Sequence, residues 1–471
     1  MPHVIRKKRL HVEFDGPESE VSALQRRLER FCYDCLVPVM EVALNGQIPE
    51  DEHLLMEEVV IDAGTIPLDR MELDLTGTVQ EGLRQALREE LLAPRTGSRR
   101  RNNLQAMTEV FLHFLEYGSL PWWFQLPAGR DLQQVLLERW QDPKLPAGAV
   151  SLVLEDALVT LRREEARTRL VLQFSETFCS FLLSLVAPSA ALRVQAVLDG
   201  LEGTGAPAER LLPMRRKLWD HAFAAAASHC GVTERELVRH AWFESPCALR
   251  ATPGLAAALE RQWPEVTQRD KKGPRAPSEG ESAAPLDKNT STPARTPKAI
   301  RQDQEAIEEL YIDHAGLVLL HPYLPQLFES QQIAKGNRII DQERCLAMLH
   351  YLAAGDVDQP EHLLVLPKLL CNIPLHVPAA KDTELSDEER EECDALLYVM
   401  LQHWGALRNS SADGLRGSFL MRQAKLTMCE NDEWLLQVER NSYDILLDQL
   451  PYSISMVKLP WMEKLLWVQW D

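Results

Sequence analysis

The sequence has no excess of positive charge, which limits the partners it can bind. Its 471 residues include 51 Lys and Arg against 70 Asp and Glu, giving a formal net charge of −19. Nucleic acid is not an expected partner, because phosphate binding needs a basic face. Two short basic runs, residues 6–9 and 99–101, are the exceptions. We interpret each as solvated surface, with a local acidic partner as the alternative.

The sequence also lacks a long uninterrupted apolar run. The longest, residues 170–186, is broken by Gln173 and Glu176, so we predict a buried helix there and no membrane span. The N-terminus passes from a basic run into an alternating segment, without the apolar core of a signal peptide. Nine cysteines in a chain of this size fit a reducing compartment. We therefore expect synthesis and folding in the cytoplasm.

Signatures of catalysis and metal binding are missing as well. HExxH, GxSxG, GxGxxG and GxxxxGK[ST] do not occur. Cys32 and Cys35 have redox-motif spacing but fall within a predicted helix, where we expect buried thiols, and no second CxxC completes a zinc site. Cys371 and His376 are close in sequence, and a Cys-dependent hydrolase built on them is kept as an alternative. We predict no enzyme, no catalytic, cofactor-binding or metal-binding residue, and no cofactor.

What the sequence does contain is an unusually apolar tail. Residues 450–470 hold three tryptophans and two Leu-Pro-aromatic steps, whereas C-terminal tails are usually polar and frayed. Both faces of residues 465–470 are largely apolar, which predicts a final strand buried on both sides. We therefore expect this strand to lie in a core or an interface.

The pattern of periodicities predicts an α+β fold that is predominantly helical. We expect a small N-terminal β-α-β-β-α unit, a helical middle, a disordered linker and a helical C-terminal domain closed by β-strands. The predicted boundaries are residues 1–95, 96–265, 266–303 and 304–471.

In the N-terminal unit, the alternation of apolar and polar residues predicts strands at 10–14, 57–61 and 70–75. Apolar residues at helical spacing predict a helix over 19–44, which Pro38 bends or divides. Thr78 is the predicted N-cap of a second helix that ends near Leu92.

The rest of the chain is predicted mainly from helical periodicity. Helices are expected at 104–117, 131–141, 149–161, 168–186, 190–201 and 206–230. Residues 266–303 contain almost no large apolar side chain, which favours a disordered tether. In the C-terminal domain, Ser386 and Glu389 predict a capping box. Residues 434–439 and 443–447 predict a hairpin that leads to the final strand.

Several aromatic and polar positions are candidates for contact with a partner. Trp122 and Trp123 fall in a predicted loop, and tryptophan is enriched at interface hot spots; packing within their own domain is the alternative. Asn409 and Ser410 fall in a polar loop after Trp404, where a local turn is the alternative. The candidate positions are Trp122, Trp123, Asn409, Ser410, Trp461, Trp467 and Trp470.

Six segments taken in order resemble a known family. They are residues 61–66, 111–123, 315–325, 403–411, 414–420 and the closing Leu-Pro-Tyr-Ser and Leu-Pro-Trp-Met series. Together they are similar to the contractile injection system tape measure proteins over most of the chain outside 266–303. The resemblance implies a structural part of a phage-tail-like particle, in which a tape measure lies in the tube lumen and sets tube length. It also implies incorporation into the particle, with tube, baseplate or tip proteins as partners and no catalytic residues.

The length of the chain leaves the role within such a particle open. As one helix, 471 residues would span about 700 Å. The many Pro and Gly breaks and the absence of sustained heptads predict compact bodies instead. Assembly of the tip or baseplate fits these features, as does a cytoplasmic chaperone or adaptor that holds tube or cargo proteins.

Overall fold

A computed structural model describes residues 3–6, 8–45, 52–92, 99–127, 129–146, 148–268, 309–429 and 431–470. From residue 269 onward, the predicted tether lies outside the described residues. The chain divides into two compact units, Met1–Phe111 with Trp122–Val153, and Leu112–Pro121 with Leu154–Asp471. The predicted class, α+β and predominantly helical, is confirmed.

The first unit is mostly helical. Its helices are Glu18–Glu20 (3-10), Val21–Phe31, Cys32–Leu36 (π), Val37–Leu44, Met71–Leu92, the first part of Asn103–Tyr117, Leu132–Trp140 and Ala149–Val153. Strands β1 (Glu52–Leu55) and β2 (Arg99–Asn102) pair antiparallel. A small core forms around Phe31, Leu36, Met40, Ala43, Leu75 and Leu83.

The strands predicted for the N-terminal unit are not the ones observed. Residues 10–14 and 57–61 form no strand, and residues 71–75 belong to the helix Met71–Leu92. The strand predicted at residues 70–75 was wrong because its buried apolar residues lie on one face of a helix. Met71 and Leu75 are buried one helical turn apart, whereas Leu73 between them is 71% exposed. Thr78 is likewise inside this helix, where its hydroxyl donates to the Asp74 carbonyl (2.9 Å).

Two other local predictions for this unit agree better with the structure. The chain is helical over most of the predicted range 19–44, and a π turn (Cys32–Leu36) comes just before Pro38, which sits in the first turn of Val37–Leu44. In the basic run 99–101, Arg100 pairs with Glu52 (2.5 Å) and Arg101 with Glu109 (2.5 Å). The structure therefore shows the local acidic partners that we kept as the alternative.

The second unit begins with a set of helices that follow the predicted segments closely. They are the remainder of Asn103–Tyr117, then Glu155–Thr160, Glu164–Gln173, Glu176–Val186, Pro188–Glu202, Ala208–Ala227, Glu234–Glu244, Cys247–Arg250 and Leu255–Gln262. The single helix predicted over 168–186 is two helices. Ser175 separates them because it is extended and its hydroxyl caps the second helix through the Phe178 amide (3.2 Å).

The same unit contains residues 309–470, which combine helices with strands. The α-helices are Leu324–Ser330, Gln342–Ala354, Val365–Leu370, Asp387–His403 and Ala412–Leu415. Shorter helical turns are Ala315–Leu320, Glu361–Leu363, Gly405–Leu407, Arg416–Leu420 (π) and Ser442–Gln449. The predicted capping box is confirmed, because the Ser386 hydroxyl accepts from the Glu389 amide and the Glu389 carboxylate accepts from the Ser386 amide.

A five-stranded sheet closes this region. The strands are β3 (Glu309–Ile312), β6 (Ala424–Met428), β7 (Trp434–Val438), β8 (Met456–Val457) and β9 (Leu466–Trp470), in the order β3-β6-β7-β9-β8. β7 and β9 are parallel, and the other pairs are antiparallel. A parallel pair needs a crossover connection, which Ser442–Gln449 and β8 supply. Strands β4 (Ala334–Lys335) and β5 (Arg338–Ile339) form a separate two-stranded ribbon.

Two predictions about this sheet were wrong. β7 forms its hairpin with β6, and residues 443–447 belong to a 3-10 helix. The final strand was expected to be buried on both faces, but only Leu466 and Val468 are buried, whereas Trp467 is 42% exposed. The reason is that the large core of residues 310–468 lies on one side of the sheet, and the described residues leave the other side open.

Candidate interaction surface

The C-terminal sheet has two faces of different character. The inward side chains are buried and comprise Leu310, Ile312, Ala424, Leu426, Trp434, Leu436, Val438, Leu466 and Val468. Side chains alternate along a strand, so the residues between them point to the opposite face. Those residues are exposed or only partly buried, which makes the outer face accessible.

An apolar row crosses three strands of this outer face. Trp467 of β9 lies opposite Leu435 of β7 on one side and opposite Met456 of β8 on the other. Met456 is 51% exposed and Trp467 is 42% exposed. The indole Nε1 of Trp467 donates to the Glu433 carboxylate (2.8 Å), which fixes the orientation of the ring. A positioned aromatic side chain of this kind can anchor a protein partner.

A polar row runs beside the apolar one. Lys425 lies opposite Tyr311 and Gln437, and Gln437 lies opposite Gln469. The Gln437 amide donates to the Gln469 side-chain oxygen (2.9 Å). An apolar strip next to a row of polar side chains is the composition of a protein interface with a polar rim.

One end of the sheet is held by a buried ion pair. Arg422 donates to both carboxylate oxygens of Asp444 (2.7 and 2.9 Å), and its guanidinium lies over the rings of Tyr443 and Trp470. The Trp470 indole donates to the same carboxylate (3.0 Å). Burial alone would raise the pKa of Asp444, but hydrogen bonds from Arg422, the Asn441 backbone and Trp470 hold it below its usual value. This arrangement fixes the final strand in place.

A second group of buried charges, Arg169, Glu361 and Lys368, lies deeper in the same unit. We call it the buried triad. The Glu361 carboxylate accepts from Arg169 Nε (2.9 Å) and from Lys368 Nζ (2.5 Å). Backbone carbonyls accept the remaining donors, among them His376 from Arg169 (2.8 Å) and Val377 from Lys368 (2.7 Å). Burial lowers the pKa of Lys368, and the Glu361 carboxylate acts in the opposite direction.

The triad is tightly enclosed. Gly118 has φ +73°, and a Cβ added there would lie 2.5 Å from a Glu361 oxygen, so only glycine fits. The adjoining cavity, which Ser119 and Lys368 help to line, has about 10 Å³ of free volume, roughly enough for one water molecule. The triad therefore joins residues 115–118, 169 and 361–377 rather than forming a pocket for a substrate.

A comparison with known protein families shows which family the chain belongs to. A model described as contractile injection system tape measure protein matches residues 2–470, nearly the whole chain. The chain belongs to this family. Membership places it with contractile injection systems and implies association with other subunits of the particle. The comparisons with curated proteins and with solved structures found no match.

The predicted contact residues of the second unit differ from one another in their exposure to solvent. Trp467 lies on the open face, and Trp470 is half-buried beside Arg422. Trp461 is 5% exposed, donates to the Leu370 carbonyl (2.7 Å) and stacks on Phe328, so its ring is part of the core. Asn409 and Ser410 are exposed, in a turn.

Trp122 and Trp123 belong to the first unit and are half-buried there. Arg6 lies over the ring of Trp122, and Arg101 lies over the ring of Trp123. Both indoles thus have contacts within their own unit, and a role in binding a partner stays a prediction.

The structure does not bring Cys371 and His376 together. Cys371 is buried and its sulfur contacts Cys345, whereas His376 is exposed and uses its backbone carbonyl to bind Arg169. The expectation that Cys32 and Cys35 are buried together was wrong, because Cys35 is exposed. Within the described residues there is no cluster of His, Cys, Asp or Glu that could hold a metal ion. Nor does any described helix have the length and apolar character needed to cross a membrane.

Sequence reasoning missed the partners of Trp467 in the apolar row. Leu435 was assigned to a strand, but its neighbour across the sheet was unknown, and Met456 was not singled out. Sequence reasoning also missed the buried triad. The available signal was Lys368 within the apolar run 364–371, since a lysine in such a run must find a buried partner.

Proposed function

We propose that this protein takes part in assembling a contractile injection particle as a folded body that docks on another subunit through the outer face of its C-terminal sheet. The observation that carries the proposal is the apolar row of Leu435, Met456 and Trp467, in which Met456 and Trp467 are exposed and Leu435 is half-buried. Truncating a central aromatic anchor typically costs an interface far more than truncating the polar positions around it. The docked protein then controls construction of the tip or baseplate, or the length of the tube.

This role requires no catalysis. The Cys371 thiol is buried against another thiol, and the cavity beside Lys368 is of the size of one water molecule. Both observations favour a structural part over a hydrolase. We therefore assign the protein an assembly role, with tube, baseplate or tip proteins as its partners.

The test replaces the gene in a producing strain by a Trp467→Ala variant. We expect few or malformed particles by electron microscopy, with normal cellular levels of the variant protein, because the anchor is lost while the buried face of β9 is unchanged. Tyr398→Ala is the matched control, since Tyr398 is an exposed aromatic residue of the same unit (63% exposed) that lies on the helix Asp387–His403, outside this sheet. The control strain should make particles of normal number and length.

The images also separate the possible roles. Particles of normal number and length in the Trp467→Ala strain would contradict docking through this face. Irregular tube lengths would favour length control, and missing tips would favour tip or baseplate assembly. If the wild-type protein is absent from purified particles but binds free tube or cargo protein, it acts as a chaperone or adaptor.

A further inference from the structure

Two cysteines of the second unit are in direct contact through their sulfur atoms. The Sγ atoms of Cys345 and Cys371 are 2.7 Å apart, and both residues are buried. Among the described residues, no other two cysteines share a hydrogen-bonding contact. Both residues are reduced thiols in this structure. The pair stands apart from the exposed face on which the proposed function rests.

Regular backbone structure holds both residues. Cys345 lies in the first half of the helix Gln342–Ala354, and its amide donates to the Asp341 carbonyl (3.2 Å). Cys371 ends the helix Val365–Leu370, and its amide donates to the Pro367 carbonyl (3.0 Å). The preceding carbonyl, that of Leu370, accepts from the indole of Trp461. The two sulfurs therefore meet because the backbone places them together, not through a chance rotamer of a mobile loop.

We propose that Cys345 and Cys371 are a thiol-oxidation site that forms an intramolecular disulfide, with a low-molecular-weight disulfide of the glutathione type as the oxidant. In the first step the thiolate of one cysteine attacks the small disulfide, giving a mixed disulfide and one small thiol. The second cysteine then attacks the protein sulfur of that mixed disulfide and releases the second small thiol. The two cysteines lose two electrons and two protons in total, and the small disulfide gains them.

Burial determines when the reaction takes place. Burial and the contact with Cys371 raise the pKa of the Cys345 thiol well above its usual value, so little reactive thiolate exists in the folded protein. A mixed disulfide also needs more room than this core provides. The bond consequently forms while the chain folds or when this region opens, and once formed it is shielded from reductants.

The test uses the full-length purified chain, refolded from urea in buffers with increasing ratios of oxidised to reduced glutathione. Free thiols are then blocked with N-ethylmaleimide in denaturant, and the intact mass and the peptides are measured. We expect a species with two fewer alkylated thiols, and a cross-linked peptide pair containing Cys345 and Cys371. The oxidised protein should unfold at a higher urea concentration than the reduced protein, because the bond closes a loop in the unfolded chain.

Two variants complete the experiment. Cys371→Ala should lose the species with two fewer alkylated thiols, while Cys393→Ala should keep it, because Cys393 is also buried in this unit but lies outside the hydrogen-bonded pair of Cys345 and Cys371. The proposal is overturned if all nine cysteines stay alkylated at every glutathione ratio. A dominant cross-link between other cysteines would overturn it equally. Both readouts come from the wild-type chain, so they do not depend on the variants folding.

Discussion

The two buried groups of charges differ in how their charges are balanced. At the end of the sheet, one cation, Arg422, faces one carboxylate, Asp444, from 22 residues away in sequence, and two aromatic rings flank the guanidinium. In the buried triad, two cations share the single carboxylate of Glu361, and Arg169 lies 192 residues from it. The sheet-end pair therefore fixes a local feature, whereas the triad depends on one acid to join distant parts of the chain.

Among the substitutions that test this comparison, Glu361→Gln is expected to lower the free energy of unfolding most. Removing the shared carboxylate leaves Arg169 and Lys368 buried without a counter-charge. We expect the free energy of unfolding of the second unit to fall by about 3–5 kcal/mol, measured by urea denaturation. Glu384→Gln, at an exposed position in the same region, is the control and should change stability little.

A second substitution tests the reason for that loss. Adding Lys368→Met to the Glu361→Gln variant removes one of the two uncompensated cations. Part of the lost stability should return. If the double variant is less stable than Glu361→Gln alone, charge balance does not explain the role of the triad.

Asp444→Asn should have a smaller effect, because only one cation loses its partner and the aromatic rings still cover it. We expect a loss of about 1.5–3 kcal/mol at neutral pH, the range for hydrogen bonds to charged groups. The folded-state pKa of Asp444 lies below its ordinary value of 3.8. The carboxylate therefore stabilises the fold above pH 3.8, and this contribution disappears as the pH falls through the folded-state pKa. Urea titrations at several acidic pH values should show a weaker pH dependence in the variant, and an unchanged pH dependence would contradict the assignment.

The smallest effect is expected for an exposed ion pair that joins the same distant parts of the chain as the triad. Arg216 contacts both carboxylate oxygens of Asp382 (2.6 and 2.7 Å), but the two side chains are 29% and 55% exposed. A double-mutant cycle of Arg216→Ala and Asp382→Ala should give a coupling energy of about 0–1 kcal/mol. A coupling as large as the effect of Glu361→Gln would mean that sequence distance, and not burial, sets the strength of these contacts.

The sequence predicted most helices after residue 103 and the cap at Ser386, because their signals are local, but the cap predicted at Thr78 was wrong. Ser386 and Glu389 are three residues apart, and Gly118 ends its helix with positive φ. The strand predicted from alternation at residues 70–75 is not observed, because so short a run of apolar residues also fits one face of a helix. The exposure of Trp467 could not be predicted, since it depends on which side of the sheet the core occupies. The partner of Lys368 could be expected but not identified, because Glu361 and Arg169 meet only through the fold of the whole unit.

The sequence separation within the triad has a consequence for the order of folding. Contacts between residues so far apart form slowly, because a long stretch of chain must be closed before any contact compensates for the lost entropy. Two donors of Arg169, Nε and Nη2, and the side-chain amide of Gln173 find their acceptors only after Glu361, His376 and Ala379 have been synthesised. During synthesis, the helices of residues 154–268 emerge well before those acceptors. Until the acceptors are made, these donors of Arg169 and Gln173 lack their partners in the folded protein. Docking of the later segment onto these helices is thus expected to be the slow step of folding, and the stage at which the newly made chain is most prone to aggregate.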